Sequence, residues 1–225
     1  MKKLLFSRLF IFCILISIFI GFLVGIDIKN DFINLYAGKM SSLIFRYTFL
    51  VLIVFISSTI FNRLSNPVLI ARKKTFYNVF MEMLKNELLA FTLLYICQNI
   101  PICMLNFHLF INNIDKILVI IINLIVVSTL ISTIISFIDI WVKKRVFSNC
   151  IFLIIFSLID FLTEYYNYFI FEKTTFDFQY IFSLPLIYKN YVIILVLIVL
   201  IICLLTSIII SLSQRKDYFL RNETM

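Results

Sequence analysis

The chain has 225 residues, of which 63% are apolar and only 14% charged, with a mean hydropathy of +1.08. A soluble domain of this length has too little interior to hide so much apolar surface, so its solvent must be lipid. In a membrane chain the net charge of +8 follows from topology and anionic lipid, and it carries no nucleic-acid reading.

With 3 Gly, 3 Pro and long unbroken apolar runs, a transmembrane barrel of short alternating strands is excluded. The expected fold is all-α: one polytopic domain over 1–225, with six transmembrane helices and both termini cytoplasmic. Charges punctuate the sequence, leaving uncharged stretches at Leu9–Ile26, Tyr47–Asn62, Leu88–Ile114, Ile117–Ile138, Val146–Ile159 and Asn190–Gln214. About 20 residues cross the hydrocarbon, which places the spans at 9–26, 44–62, 88–110, 117–138, 146–163 and 190–213.

The amino terminus, with Lys2, Lys3 and Arg8 before an apolar run, imitates a secretory signal. The run is longer than a usual signal core and no small-x-small site closes it, so it is taken as the first span. The second stretch is short. Arg46 at its outer end is expected to snorkel to the headgroups and so lengthen the apolar segment.

Segment 63–87 then forms the longest cytoplasmic link. Asn66 followed by Pro67 reads as an N-cap and a proline at the first helical position. A short helix follows, with Val68, Leu69 and Ile70 beside Arg72, Lys73 and Lys74. Phe76, Val79, Phe80, Met83 and Leu84 recur at helical spacing beyond it, with Asn78, Glu82 and Lys85 between them. Two amphipathic pieces on the inner membrane surface result, either lipid-anchored or forming a docking surface for a cytoplasmic partner.

In the third span Gln98, Asn99 and Pro101 stand together. The proline should kink the helix, the amides can satisfy freed carbonyls, and the polar kink is a candidate for a substrate path. The fourth span carries Ser128, Ser132 and Ser136 in i, i+4, i+8 register, with Thr129, Thr133 and Asn123 near. Small polar residues so spaced form a helix-packing face, within the subunit or between copies. Asp139, beside Trp141 and Lys143, reads as an interfacial charge. The fifth span must include Asp160 or end early. Asp160 and Glu164 share a helical face and are candidates for a gate or path, or Asp160 points into a wet crevice or pairs with a neighbour. The outer segment 164–189 is crowded with Tyr and Phe, which suits an aromatic hairpin in the outer leaflet or a lid over a path.

Orientation follows from the basic residues. With the amino terminus inside, Lys2, Lys3, Arg8, Arg63, Arg72, Lys73, Lys74, Lys85, Lys143, Lys144, Arg145, Arg215, Lys216 and Arg221 are inner, fourteen of the 20; Lys29, Lys39, Arg46, Lys116, Lys173 and Lys189 are the six outer ones. The inner excess obeys the positive-inside rule.

No P-loop begins at Gly21, Gly25 or Gly38, and the single histidine, His108, excludes a paired-histidine zinc motif. No G-x-S-x-G nucleophile elbow is present. Cys13, Cys97, Cys103, Cys150 and Cys203 form no C-x-x-C pair and read as packing residues, with no metal site among them. Cys103 and His108 leave one thiol–imidazole alternative. It loosely resembles the small six-span peptidases that mature signalling peptides in Gram-positive bacteria, with the order of the two residues reversed.

In layout the whole chain resembles a small ABC-2-type permease, the class that exports, or gives immunity to, bacteriocins, lantibiotics and antibiotic peptides. Six spans with both ends inside, the amphipathic link 63–87 and the long outer segment before the last span carry the resemblance. It implies no catalysis and no cofactor in this chain, with ATP and Mg bound by a separate cytoplasmic ATP-binding subunit. It also implies a homodimer or heterodimer of permease subunits in a bacterial plasma membrane, and it makes Asn66, Pro67, Leu69, Ile70, Arg72, Lys73 and Lys74 the ATPase-coupling residues. The family's amphipathic helix ahead of the first span has no counterpart in Met1–Arg8, which is too short. The competing expectation is a non-transporting immunity or regulatory protein that binds a toxin at its aromatic outer segment.

Overall fold

The computed structural model describes residues 8–27, 36, 39, 42–64, 76–142, 144–169 and 191–214. These form seven helices and no strand among the described residues: α1 (Arg8–Asp27), α2 (Leu43–Leu64), α3 (Phe76–Leu105), α4 (Phe107–Asn112), α5 (Ile114–Val142), α6 (Arg145–Phe169) and α7 (Tyr191–Gln214). All except the short α4 are long and apolar enough to cross a membrane, so the chain is a multi-pass membrane protein.

Several helices run on beyond the charge-bounded stretches. The helix that contains the third span starts at Phe76, twelve residues ahead of the expected span, because Glu82, Lys85 and Glu87 are absorbed into one continuous helix. Val79, Phe80 and Met83 are buried; this amphipathic piece is thus the first turns of α3 packed into the bundle, and not a separate helix on the membrane surface. α6 likewise runs on to Phe169, past the expected end at 163. The remaining part of the aromatic segment, 170–189, and the coupling stretch 66–74 lie outside the described residues.

Lipid gives helices no hydrophobic reason to associate, so close backbone approach and buried hydrogen bonds must hold the bundle. α1 and α3 run parallel, with Ser17 Oγ donating to the Leu94 carbonyl at 2.8 Å and Asn106 Nδ2 donating to the Gly25 carbonyl at 2.7 Å. The second bond satisfies a carbonyl in the last turn of α1. Gly21 lets the two backbones nearly touch: a Cβ there would stand 2.0 Å from the Gln98 carbonyl oxygen.

α2 packs antiparallel to α3, Phe49 meeting the Tyr95 ring at 5.8 Å between centroids. α5 follows α3 in the reverse direction, and α6 turns back on α5 at once. Phe49, Leu50, Ile53, Phe91, Leu94, Ile120, Leu124 and Val127 fill the centre of the bundle. α6 and α7 turn most of their apolar surface outward, as Ile154, Leu158, Phe161, Ile193, Leu197 and Leu204 show.

Candidate functional site

Hydroxyls divide into two groups. Thr48, Thr59, Thr92, Thr129, Thr163, Thr206 and Ser207 each bond the carbonyl four residues back on their own helix, the usual way a lone hydroxyl is satisfied in lipid. Ser57, Ser128, Ser132, Ser136 and Ser148 meet side chains from other helices or from another part of the chain, Ser128, Ser136 and Ser148 bonding the carbonyl four residues back as well, and they build the interior.

The first cluster lies near the α5–α6 turn. Ser57 of α2 and Ser132 of α5 both donate to Glu87 Oε1, at 2.9 and 2.5 Å, and their hydroxyls are 2.8 Å apart. Arg145, at the start of α6, donates through Nη2 to Ser57 and through Nη1 to Ser136 at 3.1 Å. Its Nη1 is 3.8 Å from Asp139 Oδ2, and its guanidinium lies 4.8 Å from the centre of the Phe61 ring. Ser148 donates to Asp139 Oδ1 at 2.9 Å. Glu87, Asp139 and Arg145 are all buried.

A chain of polar groups continues from this cluster along the α3–α5 interface. Tyr95 and Ser128 share a 2.5 Å hydrogen bond one turn from Ser132. Asn99 Nδ2 donates to the Tyr95 carbonyl at 2.8 Å, and Tyr36 donates to Asn99 Oδ1 at 3.2 Å. Burial pushes the Tyr36 hydroxyl well above its ordinary value, the Asn99 bond offsetting part of the rise, so it remains a neutral donor.

The second charged cluster stands at the far end of α2. Arg46 Nη1 lies 2.5 Å from Asp160 Oδ1, and Tyr47 donates to Asp160 Oδ2 at 3.3 Å. Arg46 is 1% and Asp160 2% exposed. Arg46 therefore does not snorkel to headgroups. An opposite charge within reach makes an internal pair cheaper than stretching a guanidinium through lipid.

No family model, curated protein or solved structure matches this chain.

The side chains singled out in sequence fall as follows. Asn99, Ser128, Ser132 and Ser136 are in the buried polar chain, all within one subunit. Gln98 is buried at the α1–α3 contact. Asp160 is paired with Arg46, while the side chain of Glu164 lies outside the described residues, as do Asn66, Pro67, Leu69, Ile70, Arg72, Lys73 and Lys74. Asp139 is not an interfacial charge but 1% exposed and bonded to Ser148. His108 is exposed and hydrogen-bonded to Asn112, and no hydrogen bond joins it to Cys103.

Glu87, Arg145, Tyr95 and Tyr36 were not singled out. Glu87 had a readable signal: Phe80, Met83, Glu87, Phe91, Leu94 and Gln98 form one stripe at three- and four-residue steps, and every member is buried. Among the described residues no group of three metal-ligating side chains converges. What the arrangement can do chemically is hold a proton, pass hydrogen bonds along its length, and come apart when helices shift.

Proposed function

We propose that this chain is the membrane-spanning permease subunit of an ATP-binding-cassette exporter. It moves an amphipathic peptide or a lipid-like or antibiotic molecule outward, with ATP and Mg held by a separate cytoplasmic subunit. Both termini are cytoplasmic, the membrane is a bacterial plasma membrane, and two permease subunits work together.

One observation carries this reading. α3 begins at Phe76, two residues after Lys74, and runs unbroken to Leu105. At 1.5 Å per residue a helix of this length spans about 45 Å, against about 30 Å of hydrocarbon. Its first turns therefore extend toward the basic stretch Asn66–Lys74, and its interior carries Glu87, Tyr95 and Asn99. A motor that seats against Asn66–Lys74 would act on a rod whose displacement breaks the Glu87, Tyr95 and Tyr36 hydrogen bonds together. Buried ionisable groups in a membrane bundle mark translocation machinery more often than scaffolding, because their cost must be offset.

Purification from native membranes in mild detergent tests the proposal. A nucleotide-binding chain should accompany the protein, and reversing Arg72, Lys73 and Lys74 to Glu should lower its recovery about tenfold or more, the scale on which a cluster of interfacial charge pairs acts. Failure of any nucleotide-binding chain to co-purify, together with unimpaired protection against a peptide antibiotic in the reversed variant, would leave the immunity-protein reading in its place.

A further inference from the structure

Glu87 is the twelfth residue of the 30 in α3, well inside the bundle, with no exposed surface. All of its hydrogen bonding falls on one oxygen. Oε1 accepts from Ser57 and Ser132, whereas Oε2 is buried with no hydrogen-bond partner among the described residues. Arg145 lies near enough to attract the carboxyl group but forms no ion pair with it: one of its nitrogens donates to Ser57, and the other donates to Ser136 and lies 3.8 Å from Asp139. An ionised carboxylate with one bare oxygen in a low-dielectric interior is far costlier than a neutral carboxylic acid.

We propose that Glu87 is a reversible proton-binding site, protonated on Oε2 in the closed bundle and discharged when α2 and α6 shift to bring Arg145 into contact with it. The proposal goes beyond the exporter reading and does not depend on it. Protonation leaves Oε1 as the carbonyl oxygen that accepts both serine hydroxyls, and it removes the charge from the oxygen that no donor reaches. The charge balance agrees: Glu87, Asp139 and Arg145 supply two carboxyl groups and one guanidinium, and a single proton neutralises the three.

The ligand is a proton and not a metal cation. The oxygens gathered there are Glu87 Oε1, Ser57 Oγ and Ser132 Oγ, with the guanidinium of Arg145 already on Ser57. A hard cation wants about six oxygens and no positive neighbour.

The groups around Glu87 are few. α2 contributes Ser57 and has no charged residue from Tyr47 to Asn62; α1 has Cys13 and no charge between Arg8 and Asp27; α7 has none from Tyr191 to Gln214. α5 contributes Ser132 and, two turns on, Asp139; α6 contributes Arg145; α3 itself carries exposed Lys85 two residues before Glu87 and half-buried Glu82 five residues before it. Arg145 is thus the charge that decides the state of Glu87, by its distance.

Infrared spectroscopy of the purified full chain in phosphatidylcholine nanodiscs reads this directly, without a transport substrate or an ATPase. At neutral pH the protein should show a protonated-carboxyl C=O band that moves in D2O and disappears at alkaline pH. It should be lost in Glu87→Gln and kept in Glu82→Gln. The double variant Ser57→Ala, Ser132→Ala should raise its frequency, since the carbonyl oxygen then loses both donors. If Glu87→Gln does not fold, 13C-carboxyl glutamate in the wild type must shift the band. The proposal is overturned if no such band exists at neutral pH, if it survives Glu87→Gln, or if labelled glutamate leaves it in place. An ATPase partner could still be found in any of those cases, so the two readings fail separately.

Discussion

Arg46 and Asp160 bring full opposite charges together between α2 and α6, with side chains 1% and 3% exposed. Their mutual attraction roughly offsets the desolvation of both, so the pair specifies how the two helices meet more than it strengthens the fold. Removing one partner is different, because the other charge is left bare. Asp160→Asn should therefore destabilise the bundle by about 3–5 kcal/mol, whereas Arg46→Met combined with Asp160→Leu should lie close to wild type. Thermal unfolding in detergent measures both. A single Asp160→Asn variant as stable as the parent would mean that the pair does not hold α2 against α6. The same reasoning separates Glu87 from Asp160: Asp160 has a guanidinium at 2.5 Å and a tyrosine hydroxyl on its second oxygen, while Glu87 has neither.

At the scale of elements, α1 and α3 show what the two glycines of α1 are for. Neither needs an unusual backbone; both need the absence of a side chain. A Cβ on Gly21 would stand 2.0 Å from backbone oxygen of Gln98, which cannot yield without moving α3 beside Pro101. A Cβ on Gly25 would meet the end of the Leu105 side chain at 2.8 Å, which can rotate away, and the Ile102 Cα at 3.3 Å, which needs to give by only a few tenths of an ångström. Gly21→Ala should accordingly cost more than the roughly 1–3 kcal/mol typical of overpacking, and Gly25→Ala should fall at or below the lower end of that range. Melting curves of the two variants give the order; equal stability would show that α1 rides on α3 more loosely than the Ser17 and Asn106 hydrogen bonds require.

The elements also show why some of the molecule could be read from sequence and some could not. Six apolar runs announce six spans because lipid demands about 20 apolar residues each, and that is a local property. Helices continue through charges that bound the apolar stretches, as α3 does through Glu82, Lys85 and Glu87. Glu87 and Arg145 are tolerated inside because helices distant in sequence supply their partners, and Asp139 because the next helix does. Ser57 meets Glu87 thirty residues on and Arg145 eighty-eight residues on. No local pattern encodes such a meeting. The periodic stripe through Glu87 does show that it faces inward, since Met83 and Phe91 flank it at one-turn steps. The serine register in α5 is legible in the same way, and Asp139 continues it three residues beyond Ser136. Which partner each residue finds is a tertiary matter.

For the whole molecule, the two charged clusters give the bundle distinct ends. Arg46 and Asp160 close one; Arg145, Asp139 and Glu87 stand nearer the other, which is also the end where α3 emerges toward Asn66–Lys74. In the proposed orientation, which rests on the positive-inside rule, this second end faces the cytoplasm. In a background freed of the five native cysteines, single cysteines at Arg72 and at Lys116, an exposed position in the first turn of α5, report on the assignment through an impermeant maleimide. Intact cells should label Lys116→Cys and spare Arg72→Cys until the membrane is permeabilised. The opposite pattern would put the Glu87 cluster in the outer half and leave Asn66–Lys74 with no motor to grip, ending the exporter reading. The protonated carboxyl group would keep its geometry under that inversion but would exchange its proton with the other compartment. Orientation thus decides what the proton site is coupled to, while the buried hydrogen bonds decide that there is one.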